Sequence, residues 1–374
     1  LIAEKEIQKV MKEFKISRRR FIGTASAAAL GSAAFGLNFD HEESPTGSSK
    51  KDIVSIVRIK DGNIARAVEE AVDLSGGIKA VTRGKNKIML KPNLTGDSPA
   101  ITTNLIVVKT LAGLLQKAGK EVMIGEGSAA ASSFNLIDNV IYRTRKQEIL
   151  EGLQKHVFDT LGYTEMAQSL NIPLINLHCG EIVEVPLKNG LVAKSVKIHR
   201  SLTEIDMLCS VPMMKTHVLG IVTLAMKNLI GLYPGTEYYA VRSWLHDRAA
   251  EAGSQGVAYE VIDMNNAVKT GFSVIDASTA MEGNGPSDGT LLDMGLIVAG
   301  SSPLATDMIG ATLMGIDFNE VPAIVLAHKM GMQPDSLDKI EIRGLKIDQC
   351  KRQFVKPEIM KWTAINKFWG VKEL

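Results

Sequence analysis

The sequence predicts an α/β protein with a mostly parallel sheet flanked by helices, as one domain or as two subdomains with a crevice between them. Two observations carry this. Strand-length apolar runs alternate with segments of helical period, and polar residues cluster just past the ends of the apolar runs, where open α/β sheets bind ligands. The roughly 335 residues after the N-terminal leader are ample for a large core.

The leader comes first. Residues 1–39 hold seven basic and three acidic residues, then Ser17-Arg18-Arg19-Arg20-Phe21-Ile22 and an uncharged, Ala/Gly/Ser-rich run from Gly23 to Phe39. A basic segment, a mildly apolar segment and small residues near its end read as a twin-arginine export signal, too weakly apolar for a permanent span. Without it the formal charge of +2 falls to −2, so the basic balance belongs to the leader and does not point to nucleic acid. The expectation is a periplasmic or extracytoplasmic protein that meets a membrane only through this segment. Residues 40–51, polar with Pro and Gly, read as a linker.

Asp52–Ile59 reads as a strand and Asn63–Val72 as a helix. Lys87–Leu90 is a short apolar strand. Thr102-Thr103-Asn104 caps a helix that runs to Ala118, Gly119 ends it, and Glu121–Ile124 is the next strand. This is a βαβ unit and calls for parallel pairing. Lys155–Leu170 reads as one helix, Pro173–Leu177 as a strand, and Ile182–Pro186 with Val192–Ile198 as a hairpin around Lys188-Asn189-Gly190. Asp206–Val211 is a buried strand and Val222–Leu232 a helix. Residues 233–256, rich in Gly, Tyr and charge, read as a loop or lid with a short helix, and a lone His246 there, with Trp244 and Asp247, reads as exposed. Phe272–Ala277 and Gly295–Ala299 are strands, Leu304–Met314 a helix and Lys339–Ile342 the last strand, leaving 346–374 as an extension.

The chemistry-bearing residues follow strands. Lys215, Thr216 and His217 end one apolar run, and Lys227 and Asn228 lie on the helix after it. Two lysines, an imidazole and an amide suit a small anionic ligand or cofactor. Lys91 and Asn93 flank Pro92 at the end of another strand, and Glu126 and Ser128 lie in a Gly-Glu-Gly-Ser turn after the next. Met281-Glu282-Gly283-Asn284-Gly285-Pro286 reads as a glycine-rich turn that leaves Glu282 and Asn284 to handle protons or a metal. In this reading Lys215 and Lys227 hold negative charge, His217 moves a proton or ligates a metal, and Glu282 is a second acid or ligand. Asp307, near the start of a helix, complements that helix's own dipole. Cys179, Cys209 and Cys350 are far apart in sequence, so an iron–sulfur cluster is not expected and buried thiols are. The cofactor is otherwise open, with a metal or a metal-containing organic group as candidates.

Lys91-Pro92-Asn93, Gly125-Glu126-Gly127-Ser128, Pro212-Met213-Met214-Lys215-Thr216-His217 with Lys227-Asn228-Leu229-Ile230-Gly231, and Met281 to Pro286 occur in this order. Over residues 52–345 the chain therefore resembles the domain-of-unknown-function family 362. Many members of that family join this core to a ferredoxin-like module with cysteine-ligated clusters, and this chain lacks those cysteines. The run Lys227 to Gly235, with His217 before it and His246 after it, is also similar to the large lactate-racemase family. That resemblance implies proton or hydride transfer beside a carboxylate with a nickel pincer cofactor. Together these imply an exported enzyme acting on an anionic small molecule. The alternative is a non-catalytic ligand-binding protein or an accessory to an exported redox complex.

Overall fold

Parallel strands buried on both faces read as unbroken apolar runs, and three such runs, within residues 87–92, 121–126 and 207–211, lie at the centre of this protein. The computed structural model describes residues 51–254, 256–362 and 373–374, and the leader lies outside them. Fourteen strands are present among the described residues: β1 Asp52–Arg58, β2 Lys87–Pro92, β3 Glu121–Glu126, β4 Leu136–Ile137, β5 Val140–Ile141, β6 Leu174–Asn176, β7 Ile182–Pro186, β8 Ser195–His199, β9 Met207–Val211, β10 Met213–His217, β11 Ile221–Thr223, β12 Thr270–Asn284, β13 Asp288–Gly300 and β14 Ile340–Gly344. The main sheet runs β14-β1-β13-β12-β9-β2-β3-β6, and β10 lies beside β12 and pairs with β11. The pairs β1–β14, β12–β9, β9–β2, β2–β3 and β3–β6 are parallel, and β13 is antiparallel to both its neighbours. The sheet is mostly parallel and flanked by helices, as the sequence predicts. Residues 51–374 form one unit.

The first elements form where the sequence places them. Asn63 caps the helix Ile64–Leu74 by accepting Arg66 N, and Asn104 caps the helix Leu105–Lys117 by accepting Ile106 N. Other elements differ for local reasons. The segment read as one helix over 155–170 is two, Gln147–Thr160 and Tyr163–Leu170, because Gly162 takes a left-handed conformation between them. Val222–Leu232 is not one helix: β11 comes first, then the short helix Ala225–Asn228 and a tight 3₁₀ turn, Leu229–Leu232. Of residues 281–286 only Gly285 and Pro286 lie in a turn. Residues 281–284 end β12, a strand of 15 residues whose hairpin with β13 continues to the Asn284–Asp288 pair.

Pro212, with no N–H to give, separates β9 from β10, and its carbonyl accepts Asp276 N at 2.8 Å. Lys215 and His217 therefore sit on a strand of their own. After β14 the chain returns as a strap over 355–362. Val355 N donates to Glu282 Oε2, Glu358 N to Asn284 Oδ1, Met360 N to the Val218 carbonyl and Trp362 Nε1 to Asp247 Oδ1. The three cysteines are free, Cys179 and Cys209 buried and Cys350 partly so. Burial pushes the Cys209 thiol up to about 12. Among the described residues no helix is long and apolar enough to cross a membrane.

Candidate functional site

At the C-terminal ends of β2 and β3 lies a cavity of about 490 Å³, lined by Lys91, Asn93, Glu126, His217, Lys227, Asn228, Arg242 and His246, with Trp362 of the strap in its wall. Its floor is a buried ion pair. Lys91 Nζ stands 2.7 and 2.8 Å from the two oxygens of Glu126, and Leu94 N and Gly127 N also donate to that carboxylate. Burial lowers the Lys91 pKa and Glu126 opposes the shift. Lys91 Nζ also donates to Asn228 Oδ1 at 3.2 Å, Asn93 Nδ2 reaches the same oxygen at 3.3 Å, and Thr95 Oγ1 donates to Asn93 Oδ1. Lys215 Nζ closes the chain by donating to Thr95 Oγ1 at 3.1 Å and to the Ile101 carbonyl at 2.7 Å. One hydrogen-bonded line thus runs from Lys215 to Glu126.

Glycines let this floor and wall meet. A Cβ on Gly231 would stand 2.3 Å from Glu126 Oε1 and 2.7 Å from Lys91 Nζ. One on Gly127 would stand 2.7 Å from Arg242 Nη2. Arg242 adopts φ +57°, the left-handed region that a bulky residue seldom occupies. Its guanidinium donates to the carbonyls of Gly127, Gly231 and Ala240, while its Nε is buried without a partner. Burial brings it down to about 10.

Lys227 is held from an unexpected direction. Asp307 Oδ1 accepts Ala225 N at 2.6 Å and Oδ2 accepts Met226 N at 2.9 Å, so this buried carboxylate caps the short helix that carries Lys227 and Asn228. It does not serve the start of its own helix, which Ser302 caps instead. Burial pushes Asp307 up to about 7 against the pull of those two amides. Lys227 has neither a hydrogen bond nor an ion pair among the described residues, and burial lowers it to about 7. Lys215 also falls to about 7, chiefly by burial, with Lys227 and Lys91 adding to the fall.

Two imidazoles complete the wall. His217 Nδ1 accepts Leu219 N at 3.0 Å, which places the proton of the neutral ring on Nε2. Burial, with Lys227, Lys215 and His246 nearby, holds His217 well below the usual histidine range, so it stays neutral. His246 is the reverse case. Its Nδ1 donates to Oε1 of the fully buried Glu260 at 2.8 Å, which leaves the Nε2 lone pair unengaged. Trp362 packs against this ring with 4.6 Å between centroids. One imidazole therefore offers a proton and the other a lone pair.

The sequence-predicted residues divide. Lys91, Asn93, Glu126, His217, Lys227 and Asn228 line one cavity. Lys215 stands one layer behind, against Thr95 and Ile101, which line it. Thr216 faces the opposite side of β10, its Oγ1 bound to the Gly283 carbonyl at 2.7 Å. Ser128 is buried beyond the wall, its amide on Gln154 and its carbonyl on His178. Glu282 and Asn284 do not reach the cavity: their side chains hold the strap, because the hairpin arm that carries them lies under it. Asp97 and Asp288 also line the cavity, and Asp97 is engaged by Ser132 N and His156 Nε2. Sequence reasoning missed Arg242 and Glu260 and took His246 for exposed. The carboxylate partner of His246 lies 14 residues away on another helix, at no spacing that helical periodicity would flag. Among the described residues no three His, Cys, Asp or Glu side chains gather as a metal ligand set.

Fold and cavity define an α/β protein with a mostly parallel sheet and a cation-rich chamber at its strand ends. The chain belongs to the family described as Domain of unknown function (DUF362), whose model matches residues 88–312. It is similar to the thylakoid-associated protein sll1697 of Synechocystis sp., at 23% identity over 291 residues, 76% of this chain and 81% of that protein. Among solved structures, the lactate racemase apoprotein from Thermoanaerobacterium thermosaccharolyticum aligns with a TM-score of 0.40 at 10% identity, over 71% of this chain and 57% of that one. A protein from Thermotoga maritima aligns with a TM-score of 0.32 at 13% identity, over 72% and 60%. The aligned part of this chain thus spans less than two thirds of either structure.

Proposed function

We propose that this protein is an enzyme that binds a small anionic molecule in the chamber and moves a proton on it. The observation that carries this reading is the pair of oppositely set imidazoles. His246, backed by Glu260, presents a lone pair to accept a proton, and His217 presents Nε2–H to donate one. Lys227 and Arg242 supply positive charge beside them, while Lys91 is largely committed to Glu126. An anion entering the chamber relieves the cost of these buried cations, so ligand charge and site charge favour one another. The donor set among the described residues fits acid–base work better than metal ligation, since His217 and His246 bring no third ligand with them. The leader supports export by the twin-arginine route, which would place this chemistry outside the cytoplasm.

The test is deuterium incorporation followed by proton magnetic resonance. Lactate, malate, alanine, aspartate and pyruvate would each be incubated with the protein in deuterium oxide. Deuterium should enter one of them at a carbon beside the carboxylate or carbonyl, and His246→Gln should slow that exchange by roughly 10²-fold or more. A carboxylate that binds without exchange would instead make this a carrier or accessory protein.

A further inference from the structure

Among the four cationic side chains at the chamber, three are occupied. Lys91 is paired with Glu126, Lys215 donates to Thr95 and Ile101, and Arg242 donates to three backbone carbonyls. Lys227 alone has no hydrogen bond or ion pair among the described residues, although it lines the chamber. Its place is nevertheless fixed. Asp307 anchors the first amides of its helix, and a Cβ on Gly220 would stand 3.2 Å from its Cδ and Cε, so the stem runs close along that backbone. An amine held in position, attracted by the Glu260 charge but neither hydrogen-bonded nor ion-paired, and flanked by a proton donor and a proton acceptor is arranged for bond formation more than for charge pairing.

We propose that Lys227 is a nucleophile that forms an imine with the carbonyl group of a small oxo-acid, an inference that rests on the anion-binding reading above. The Lys227 Nζ lone pair adds to the carbonyl carbon, and His246 Nε2 takes a proton from the new ammonium. The carbonyl oxygen, steadied by a hydrogen bond from His217 Nε2–H, receives that proton and then the second amine proton by way of His246, and leaves as water, so both imidazoles end as they began. The amine and the carbonyl thus become an imine and one water, with no oxidant or reductant required. A protonated imine draws electrons from the neighbouring C–H bond, which supplies the proton that the proposed function moves. The low proton affinity of Lys227 supports this, since about half of the amine is unprotonated near neutrality.

The test is reductive trapping of the full chain with pyruvate and sodium borohydride, followed by peptide mass mapping. The expected result is a gain of one pyruvic acid less one oxygen on the peptide containing Lys227, at least ten-fold above that on the exposed Lys155. Lys227→Arg, which keeps the charge, should abolish it while Tm in buffer stays within a few degrees. Because mapping the wild-type protein alone locates the adduct, a variant that fails to fold does not spoil the test. Adduct spread evenly over exposed lysines would overturn the proposal. Propionate, which lacks the carbonyl, separates the two readings. If propionate and pyruvate both raise Tm but no adduct forms at Lys227, the imine falls and the anion site stands. If neither raises Tm and no adduct forms, both fall.

Discussion

Glu126 receives the Lys91 ammonium on both carboxylate oxygens, at 2.7 and 2.8 Å, with 2% and 1% of the two side chains exposed. Attraction between buried charges offsets their desolvation only while both are present. Glu126→Gln or Lys91→Met should therefore cost about 3–5 kcal/mol, read as a fall in the denaturant midpoint at unchanged slope. The double variant Lys91→Met with Glu126→Leu should recover part of the loss. An additive double variant would show that the two charges do not act as a pair.

Gly231→Ala should be destabilising although the site it enters is polar. The added methyl falls within 2.3 Å of Glu126 Oε1 and 2.7 Å of Lys91 Nζ, and neither atom can move without breaking the pair. A cost of about 1–3 kcal/mol is expected from thermal or denaturant unfolding. Gly253→Ala, where nothing lies within 4 Å but φ is +94°, is the control for backbone strain alone.

Asp307→Ala removes the carboxylate that accepts Ala225 N and Met226 N, leaving two buried donors unmet. Each costs about 1–3 kcal/mol, and the helix that carries Lys227 and Asn228 should loosen. Amide hydrogen exchange should show residues 225–228 losing protection ahead of the sheet.

Lys227 sits at about 7 in the folded protein against 10.5 for a free lysine. Between those values the unfolded chain carries the extra proton, so stability rises with pH by about 1.4 kcal/mol per unit from this group. Below about pH 7 the full cost of the buried charge is present. Lys227→Met should therefore be more stable than the parent at pH 7, and its advantage should shrink toward pH 10. Lys215 adds to the same trend, because Lys227 helps to lower its pKa and the variant relieves that part of its cost as well. An advantage that stays constant from pH 7 to 10 would mean that the Lys227 amine titrates normally.

Glu260→Gln keeps a hydrogen-bonding atom near His246 Nδ1 but removes the charge that steadies the protonated ring. Exchange of substrate protons should fall by roughly 10²-fold or more. A fully active variant would remove His246 as the base.

Alternation of apolar runs with helical segments was enough to read the parallel centre of the sheet, because β2, β3 and β9 are short, buried and bounded by turns. The helix expected over 222–232 could not be read correctly. What shapes that segment is the Asp307 carboxylate, some 80 residues later, and local periodicity holds no trace of it. The same holds at the site. Lys91, Glu126, His217 and Lys227 stand at strand ends or just after them and were legible, whereas Glu260 and Arg242 act through partners remote in sequence. Glu282 and Asn284 misled for the opposite reason: glycines around them suggested a loop, but they belong to a long hairpin whose polar side chains hold backbone.

The strap that ends at Trp362 sets an order of assembly. During synthesis every other named wall of the chamber, from Lys91 to Asp288, leaves the ribosome before the residue that packs on His246. A nascent chain stopped short of the strap would have its sheet and ion pair but an uncovered imidazole. Such a half-made molecule would meet ligand with a wall of its chamber missing until Trp362 arrives.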